Sequence, residues 1–236
     1  MYRLRVDQEV SARFPLYGCV VAYTSGLVNS DRSDLSEDSV KKLTGTSDEI
    51  RRRYTSEQPC VEPHIAAWRA AYSSFGAKPK KHLCSVEALI SRILETGGLP
   101  SINPAVDAYN IVSLEHTIPI GGEDWNSLES DNVLRFADGL IPFETMQRGE
   151  LVVEMPPAGE VVWADKKGIT CRRWNWRQCR RTMITERTTD AYFVFDVLPP
   201  FSIAIALAAA EDLCRYLLSF SPSLKYTIEV VHSPRE

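Results

Sequence analysis

The order of helical and strand-like patterns limits what this chain can fold into. Between residues 63 and 116, apolar side chains recur at helical spacing in three consecutive segments, whereas after His116 the chain breaks into short strand-like runs separated by glycine-containing turns. The glycine-rich loops that hold phosphates in doubly wound folds, GxGxxG and GxxxxGK[ST], are absent from the sequence. Helices grouped before strands predict an α+β fold, with helices packed on a mixed, mostly antiparallel sheet.

Local signals predict where several elements begin and end. Ser47 has the character of an N-cap for a charged helix, and Ser85 that of an N-cap for a helix that ends at Gly97. Asn103 and Pro104 predict the start of the next helix.

The strand predictions rest on apolar runs bounded by turn signals. Residues 17–24 predict a buried strand, residues 165–168 a hairpin tip and residues 182–185 a further short strand. Near the end of the chain, residues 202–220 predict a long helix and residues 224–231 an alternating strand.

Composition and charge restrict which classes of protein this chain can belong to. The chain has 236 residues, of which 44% are hydrophobic, so it can bury a sizeable core. Its net charge of −4 argues against indiscriminate coating of nucleic acid. The first residues lack a secretory pattern, and the most apolar run, residues 203–210, is too short to span a membrane. The six cysteines include no CxxC pair, which indicates a protein of the reducing cytoplasm. Their spacing matches no common zinc-binding pattern, so no metal or other cofactor is expected.

The segment 169–188, ITCRRWNWRQCRRTMITERT, concentrates arginines and two tryptophans in a chain that is acidic overall. Guanidinium groups bind phosphates and stack on bases, and indole rings offer flat faces, so this composition favours a folded polynucleotide as partner over a metabolite. The alternative for each single arginine is a solvated strand face.

Several motifs together carry a family resemblance. The segments are WRAAYSSFG from Trp68, LPSINPAVDAYNIVSLEHTIPIGGED from Leu99 and GEVVWADKKGITCRRWNWRQCRRTMITERTT from Gly159, followed by the carboxylate of Asp196. In order and spacing they resemble the B3/B4 module, the tRNA-editing domain within the beta subunit of bacterial phenylalanyl-tRNA synthetase, which also occurs as a free-standing protein. The likeness is most specific over residues 63–198. It implies that residues 1–236 form a single B3/B4-like domain, with residues 1–58 a family-variable region.

The resemblance implies a pocket that accepts the aminoacylated 3′ end of a tRNA and hydrolyses the ester when the amino acid is wrong. Two residues are implied to be catalytic. Asn110 matches the asparagine of the family's VDxxN segment and is expected to bind the terminal ribose or to position the water, although bracing its helix against the sheet explains it equally well. Asp196 matches a carboxylate near the family's pocket and is the candidate general base.

The implied substrate pocket departs from the synthetase-embedded domain in three places. Tyr109 replaces a small hydroxyl residue, Gly121 and Gly122 fall where that domain has a histidine, and Trp174 and Asn175 occupy its glycine-rich loop. The backbone N–H groups of the glycine pair are candidate oxyanion donors, but a simple tight turn explains the pair as well.

Further side chains complete the predicted pocket. Trp174 or Trp176 is expected to stack on the terminal adenine, with burial in the core as the alternative. Thr188 and Thr189 are expected to supply hydroxyls to the same wall.

RNA phosphates are expected to contact two basic groups of residues. The predicted RNA-binding residues are Arg172, Arg173, Arg177, Arg180, Arg181, Lys78, Lys80 and Lys81.

The function favoured by the sequence is therefore that of a free-standing aminoacyl-tRNA deacylase that acts in trans in the cytoplasm on mischarged tRNA, without DNA, membrane, metal or cofactor. The alternative is a non-catalytic module that binds tRNA or an amino acid, indicated by glycine at the family's histidine position. A third hypothesis is a scaffold whose apolar pocket holds a peptide.

Overall fold

The computed structural model describes residues 2–29, 33–54, 58–147 and 149–233. The helices found in these residues are α1 (Gln8–Arg13), α2 (Ser33–Arg53), α3 (Pro63–Ser74), α4 (Ser85–Thr96), α5 (Pro104–His116) and α6 (Ile203–Phe220). The strands are β1 (Leu4–Val6), β2 (Gly18–Ser25), β3 (Ile120–Asp124), β4 (Asn132–Phe136), β5 (Phe143–Gln147), β6 (Glu150–Glu154), β7 (Val161–Asp165), β8 (Gly168–Arg172), β9 (Arg177–Gln178), β10 (Asp190–Val197) and β11 (Lys225–His232).

The strands form three sheets. One has five strands in the order β1-β4-β7-β8-β9, a second has four in the order β11-β2-β10-β3, and β5 pairs with β6 alone. The pair β1-β4 is parallel and the other pairs are antiparallel. This arrangement confirms the predicted α+β class with a mixed, mostly antiparallel sheet.

The four-stranded sheet separates two hydrophobic cores, because side chains alternate between its faces along each strand. From β10, Tyr192 and Val194 join the core that also contains α3, α4 and the five-stranded sheet, whereas Phe193 and Phe195 pack with α5 and α6. Both faces of β10 are thus covered, which explains why its sequence is almost continuously apolar.

The predicted starts of two helices are wrong and that of a third is confirmed. Ser47 lies inside α2, where its hydroxyl donates to the carbonyl of Leu43, because α2 packs along α4 and α5 and continues past the local cap signal. Helix α4 is capped at Cys84, not Ser85. The side chain of Asn103 caps α5 by accepting from the N–H of Val106.

Among the other predicted element boundaries, two are confirmed and one is wrong. The predicted helix end at Gly97 is confirmed, because Gly97 adopts the left-handed conformation with φ of 88°. The predicted hairpin tip at residues 165–168 is also confirmed. Residues 182–185 form no strand, so that prediction is wrong. None of the described helices combines the length and apolar character needed to cross a membrane.

The glycine pair lies in strand β3, so the alternative explanation of the pair as a tight turn is wrong. Gly121 is opposite Val194 and Gly122 opposite Phe193 in the neighbouring strand. A Cβ on Gly122 would lie 2.7 Å from the Phe193 ring and 2.9 Å from Ile184, whereas a Cβ on Gly121 would meet nothing nearer than 3.7 Å. Close packing, not a special backbone conformation, requires glycine at position 122.

We expect Gly122→Ala to lower the free energy of unfolding by about 1–3 kcal/mol, because the added methyl group forces the buried Phe193 ring to move. Gly121→Ala is the matched control and should change stability by less than about 1 kcal/mol, since its Cβ has room. Urea unfolding of both variants provides the measurement. Equal losses in the two variants would contradict the packing explanation.

Candidate functional site

A cavity of about 250 Å³ lies between the two larger sheets and is closed by α4 and α5. Most of its wall area is apolar, although several polar side chains also line it, which is the usual character of a small-ligand site. The lining residues are Ser85, Ala88, Leu89, Tyr109, Asn110, Ile120, Gly121, Glu123, Trp163, Cys171, Trp174, Asn175, Trp176, Arg177, Gln178, Val194 and Asp196. Among the described residues, no group of three or more His, Cys, Asp or Glu side chains could hold a metal ion.

The turn 173–176 between β8 and β9 supplies one wall of the cavity. Arg173 and Trp174 have φ of 46° and 67°, a left-handed conformation that costs about 1–3 kcal/mol for a non-glycine residue. Burial of the Trp174 ring offsets this cost, since its ring contacts Phe14, Tyr17, Trp68 and Phe75. Of the two roles expected for Trp174 and Trp176, burial in the core therefore applies to Trp174.

Asp196 is held in the cavity wall by two hydrogen bonds. The Tyr17 hydroxyl donates to Oδ1 at 2.6 Å and the Asn175 side-chain amide donates to Oδ2 at 3.0 Å. Burial raises the pKa of Asp196 to about 6, although both hydrogen bonds act in the opposite direction. The carboxyl group can therefore gain or lose a proton close to neutral pH.

The side chain of Asn110 is half-buried on α5 and lines the same cavity. Within the described part of the chain its amide makes no hydrogen bond, so both its N–H donors and its carbonyl are available to a ligand. Asn175 differs, because its carbonyl accepts from the Tyr72 hydroxyl and its amide donates to Asp196. Asn175 orients the carboxylate and holds the turn in place.

Glu123 is a second buried carboxylate in the cavity wall, and the sequence prediction missed it. It accepts a hydrogen bond of 2.6 Å from the Tyr192 hydroxyl, which itself accepts from the Asn132 amide. Burial raises the pKa of Glu123. The available signal was its position two residues after Gly121, which places both on the same face of β3.

Three predicted pocket residues lie elsewhere, which corrects their assignment. Gly122 points away from the cavity toward Phe193 and Ile184. The Thr188 hydroxyl is buried and donates to Asp124 Oδ2, and the exposed Thr189 donates to Asp190. The two threonines therefore stabilise the segment that precedes β10.

The buried histidine His64 has a structural role. His64 is buried, and its Nε2 accepts from both the Trp68 indole and the N–H of Leu198, so its Nδ1 carries the proton that is donated to the Thr117 carbonyl. Burial lowers the pKa of His64 to about 4, which keeps the ring neutral.

Two of the predicted RNA-binding arginines are bound inside the protein, which corrects their assignment. Arg172 is 3% exposed, donates to both oxygens of Glu160 at 2.7 Å and also pairs with Glu154. Arg181 donates to both oxygens of Asp165 at 2.7 and 3.0 Å. Burial lowers the pKa of both arginines, but their acidic partners outweigh it and leave each pKa raised.

The remaining predicted basic residues reach the surface or a cavity. Arg177 lines the cavity of Asp196, and its guanidinium lies 4.2 Å from the Trp176 ring centroid. Arg180 and Lys80 are exposed. Three further residues, Lys78, Lys81 and Arg173, line a second cavity.

Comparisons with known proteins identify one family. A model of the B3/4 domain matches residues 67–211. Among solved structures, the chain is similar to an N-terminal fragment of the phenylalanyl-tRNA synthetase beta-subunit from Pyrococcus horikoshii, at 9% sequence identity and a TM-score of 0.47. That similarity covers 95% of this chain and 50% of the fragment, so the chain spans about half of the fragment's length. A comparison with curated proteins gave no match.

We expect Tyr17→Phe to raise the pKa of Asp196 above its value of about 6, because the variant lacks the hydroxyl that stabilises the charged carboxylate. A carbon-detected NMR titration of the side-chain carboxyl measures the shift. Tyr226→Phe, at a residue that is 44% exposed, is the control and should leave the titration unchanged. An unchanged or lower pKa in Tyr17→Phe would rule out this stabilisation.

The same carboxyl makes stability depend on pH. Its folded pKa of about 6 lies above the value of about 3.9 for an unfolded chain, so the folded protein binds more protons between these two values. Its contribution to stability is full below the unfolded pKa and is lost as pH rises through the folded pKa. We expect the difference in unfolding free energy between wild type and Asp196→Asn to vary across this window and to be constant above it, as measured by urea unfolding at several pH values.

We expect Arg172→Ala to lower the free energy of unfolding by about 3–5 kcal/mol, because it leaves Glu160 buried without its charge partner. Arg180→Ala, at an exposed arginine of the same segment, should change it by less than about 0.5 kcal/mol. Thermal and urea unfolding measure both. Similar small effects would show that Arg172 is not a structural residue.

Proposed function

Because this chain belongs to the B3/4 domain family, we propose that it binds the acylated 3′ end of a tRNA and hydrolyses the ester of a wrongly attached amino acid. One observation carries the proposal. Asn110 and Asp196, which come from separate segments that resemble the editing module, line the same cavity. Their side chains supply the two chemical functions that ester hydrolysis by water needs, which are a proton acceptor and a hydrogen-bond donor.

In the proposed reaction, Asp196 acts as the general base. With a pKa of about 6 it is largely ionised at neutral pH, and it is basic enough to accept a proton from a water molecule that attacks the ester carbonyl. The tetrahedral intermediate then collapses, the ribose oxygen leaves with the proton that Asp196 accepted, and the free amino acid and tRNA are released. The hydrogen bonds from Tyr17 and Asn175 keep the carboxylate oriented during these steps.

Asn110 is the proposed donor to the reacting ester or to the terminal ribose. Its side-chain amide faces the cavity and has no partner in the described part of the chain, so binding a substrate breaks no existing hydrogen bond. The backbone N–H groups of Gly121 and Gly122, which lie in the edge strand β3, are the alternative oxyanion donors, and Gly121 lines the same cavity.

The walls of the cavity favour a small, largely apolar group. A volume of about 250 Å³ is below the ~300–1,000 Å³ of pockets for drug-sized ligands, so it suits an amino-acid side chain and its ester while the RNA strand stays outside. Leu89, Ile120 and Val194 surround this space with hydrocarbon, which strengthens electrostatic interactions inside it. Arg177 at the wall and the exposed Arg180 are proposed to contact RNA phosphates.

A second candidate function is a non-catalytic module that binds tRNA or an amino acid. One observation favours it: the described residues that line the cavity include no histidine, and both oxygens of Asp196 already accept hydrogen bonds. This candidate predicts salt-sensitive tRNA binding without turnover.

We further propose that the whole chain acts as one B3/4-like domain in the cytoplasm. Support for a single domain comes from β2 and β11, which lie outside residues 67–211 and yet share a sheet with β10 and β3.

The test is release of amino acid from tRNA charged separately with each amino acid. We expect wild-type protein to accelerate ester loss for at least one aminoacyl-tRNA, and we expect Asp196→Asn and Asn110→Ala each to slow it at least about tenfold. Asp138→Asn and Asn126→Ala are the matched controls, because both residues are exposed and lie outside the cavity.

The outcomes separate the candidates. Tight tRNA binding with no ester loss for any amino acid would favour the non-catalytic module. Ester loss that neither cavity variant slows would refute the assignment of Asp196 and Asn110.

A further inference from the structure

A second cavity, of about 270 Å³, lies beside the first and is basic. It is formed by the loop after α3 and by residues that precede β7. Its charged and titratable lining residues are Lys78, Lys81, His82, Arg173 and Glu160.

The charges around this cavity do not balance. Glu160 is already paired with Arg172, which also pairs with Glu154. Arg173 makes only a longer contact with Glu160, 3.4 Å from its Nε to Oε2. The four cationic groups are Arg172, Arg173, Lys78 and Lys81, and the two carboxylates are Glu154 and Glu160. The difference leaves about two positive charges uncompensated.

Two nitrogen atoms at the cavity also have no partner. Arg173 Nη1 and His82 Nδ1 are out of contact with solvent, and neither has a hydrogen-bond partner among the described residues. Burying such groups without a partner is costly, so their retention indicates a ligand that accepts hydrogen bonds. Burial lowers the pKa of Arg173, and burial together with the neighbouring Arg173 and Arg172 lowers the pKa of His82.

The Trp176 ring lies between the two cavities. It lines the first cavity, while two residues of the second contact it: the Arg173 guanidinium is 4.3 Å and the His82 ring 4.8 Å from its centroid. Because this one ring separates the two cavities, an RNA strand with its aminoacyl end in the first cavity can place a backbone phosphate at the second.

We propose that this basic cavity binds a phosphate group, and that the phosphate belongs to the RNA strand whose aminoacyl 3′ end enters the first cavity. The source of the phosphate rests on the proposed function, whereas the phosphate site itself does not. Lys78, Lys81 and Arg173 supply the charge, and Arg173 Nη1 and His82 Nδ1 supply buried hydrogen-bonding groups.

The first measurement is binding of an RNA minihelix that ends in CCA with a free 3′ hydroxyl. We expect Lys78→Ala/Lys81→Ala to weaken binding at least about fivefold and to reduce the slope of log K against log salt by about 0.7 for each lost phosphate contact on a single strand. Lys41→Ala/Lys225→Ala removes the same charge at exposed positions outside both cavities and should leave affinity and slope near wild type.

The second measurement locates the phosphate. Each of the last three phosphodiesters of the minihelix is replaced in turn by a neutral methylphosphonate. We expect one of the three replacements to weaken binding of the minihelix to the wild-type protein. The same replacement should weaken binding to Lys78→Ala/Lys81→Ala by less, because the phosphate and the lysines contribute through the same contact. Additive effects at all three positions would overturn the RNA assignment.

Inorganic phosphate serves as the third probe and separates this proposal from the proposed function. We expect it to raise the pKa of His82, followed by proton NMR and assigned with His82→Gln, and we expect Lys78→Ala/Lys81→Ala to abolish the shift. The shift without any RNA binding would support the phosphate site and refute the proposed function. Ester hydrolysis with unchanged RNA binding in the lysine variant, and no shift, would refute the site alone.

Discussion

The burial of Trp174 is the interaction on which both cavities depend. Its ring, wholly buried among aromatic side chains, holds the turn 173–176 in a left-handed conformation that neither Arg173 nor Trp174 favours by itself. From this turn, Asn175 reaches across to Asp196, and Trp176 forms a wall between the two cavities. Four consecutive residues thus serve the core, the carboxylate and the basic cavity.

Electrostatics divides the arginine-rich segment into two groups with different roles. Arg172 and Arg181 are bound to Glu160 and Asp165 in bidentate pairs, where they neutralise buried carboxylates. Arg173, Arg177 and Arg180 keep all or part of their donor capacity for a ligand. The basic character of the segment therefore overstates how much charge is available to RNA. The uncompensated charge is found at the second cavity, where two lysines from a different segment join Arg173.

Local signals predicted the fold well where the energetics are local. The cap of Asn103 and the left-handed Gly97 are decided by hydrogen bonds and backbone freedom within a few residues, and both predictions are confirmed. The cap prediction for Ser47 failed because packing of α2 against α4 and α5 outweighs a single cap hydrogen bond. Glu123 was missed for a related reason. The face of β3 that points into the cavity depends on its pairing with β10, which lies almost seventy residues further along the chain.

Sequence reasoning reached the α+β class, most helices and strands, and a family resemblance that placed Asn110 and Asp196 in one pocket. Periodicity and turn residues are properties of neighbouring residues, and the order of motifs can be read along the chain without knowing the fold. The folded structure was needed to show which arginines are neutralised, which carboxylates are buried and where a cavity remains. Ion pairs and desolvation depend on distances of a few ångströms between residues that are distant in sequence, such as Tyr17 and Asp196, and such distances exist only once the chain has folded.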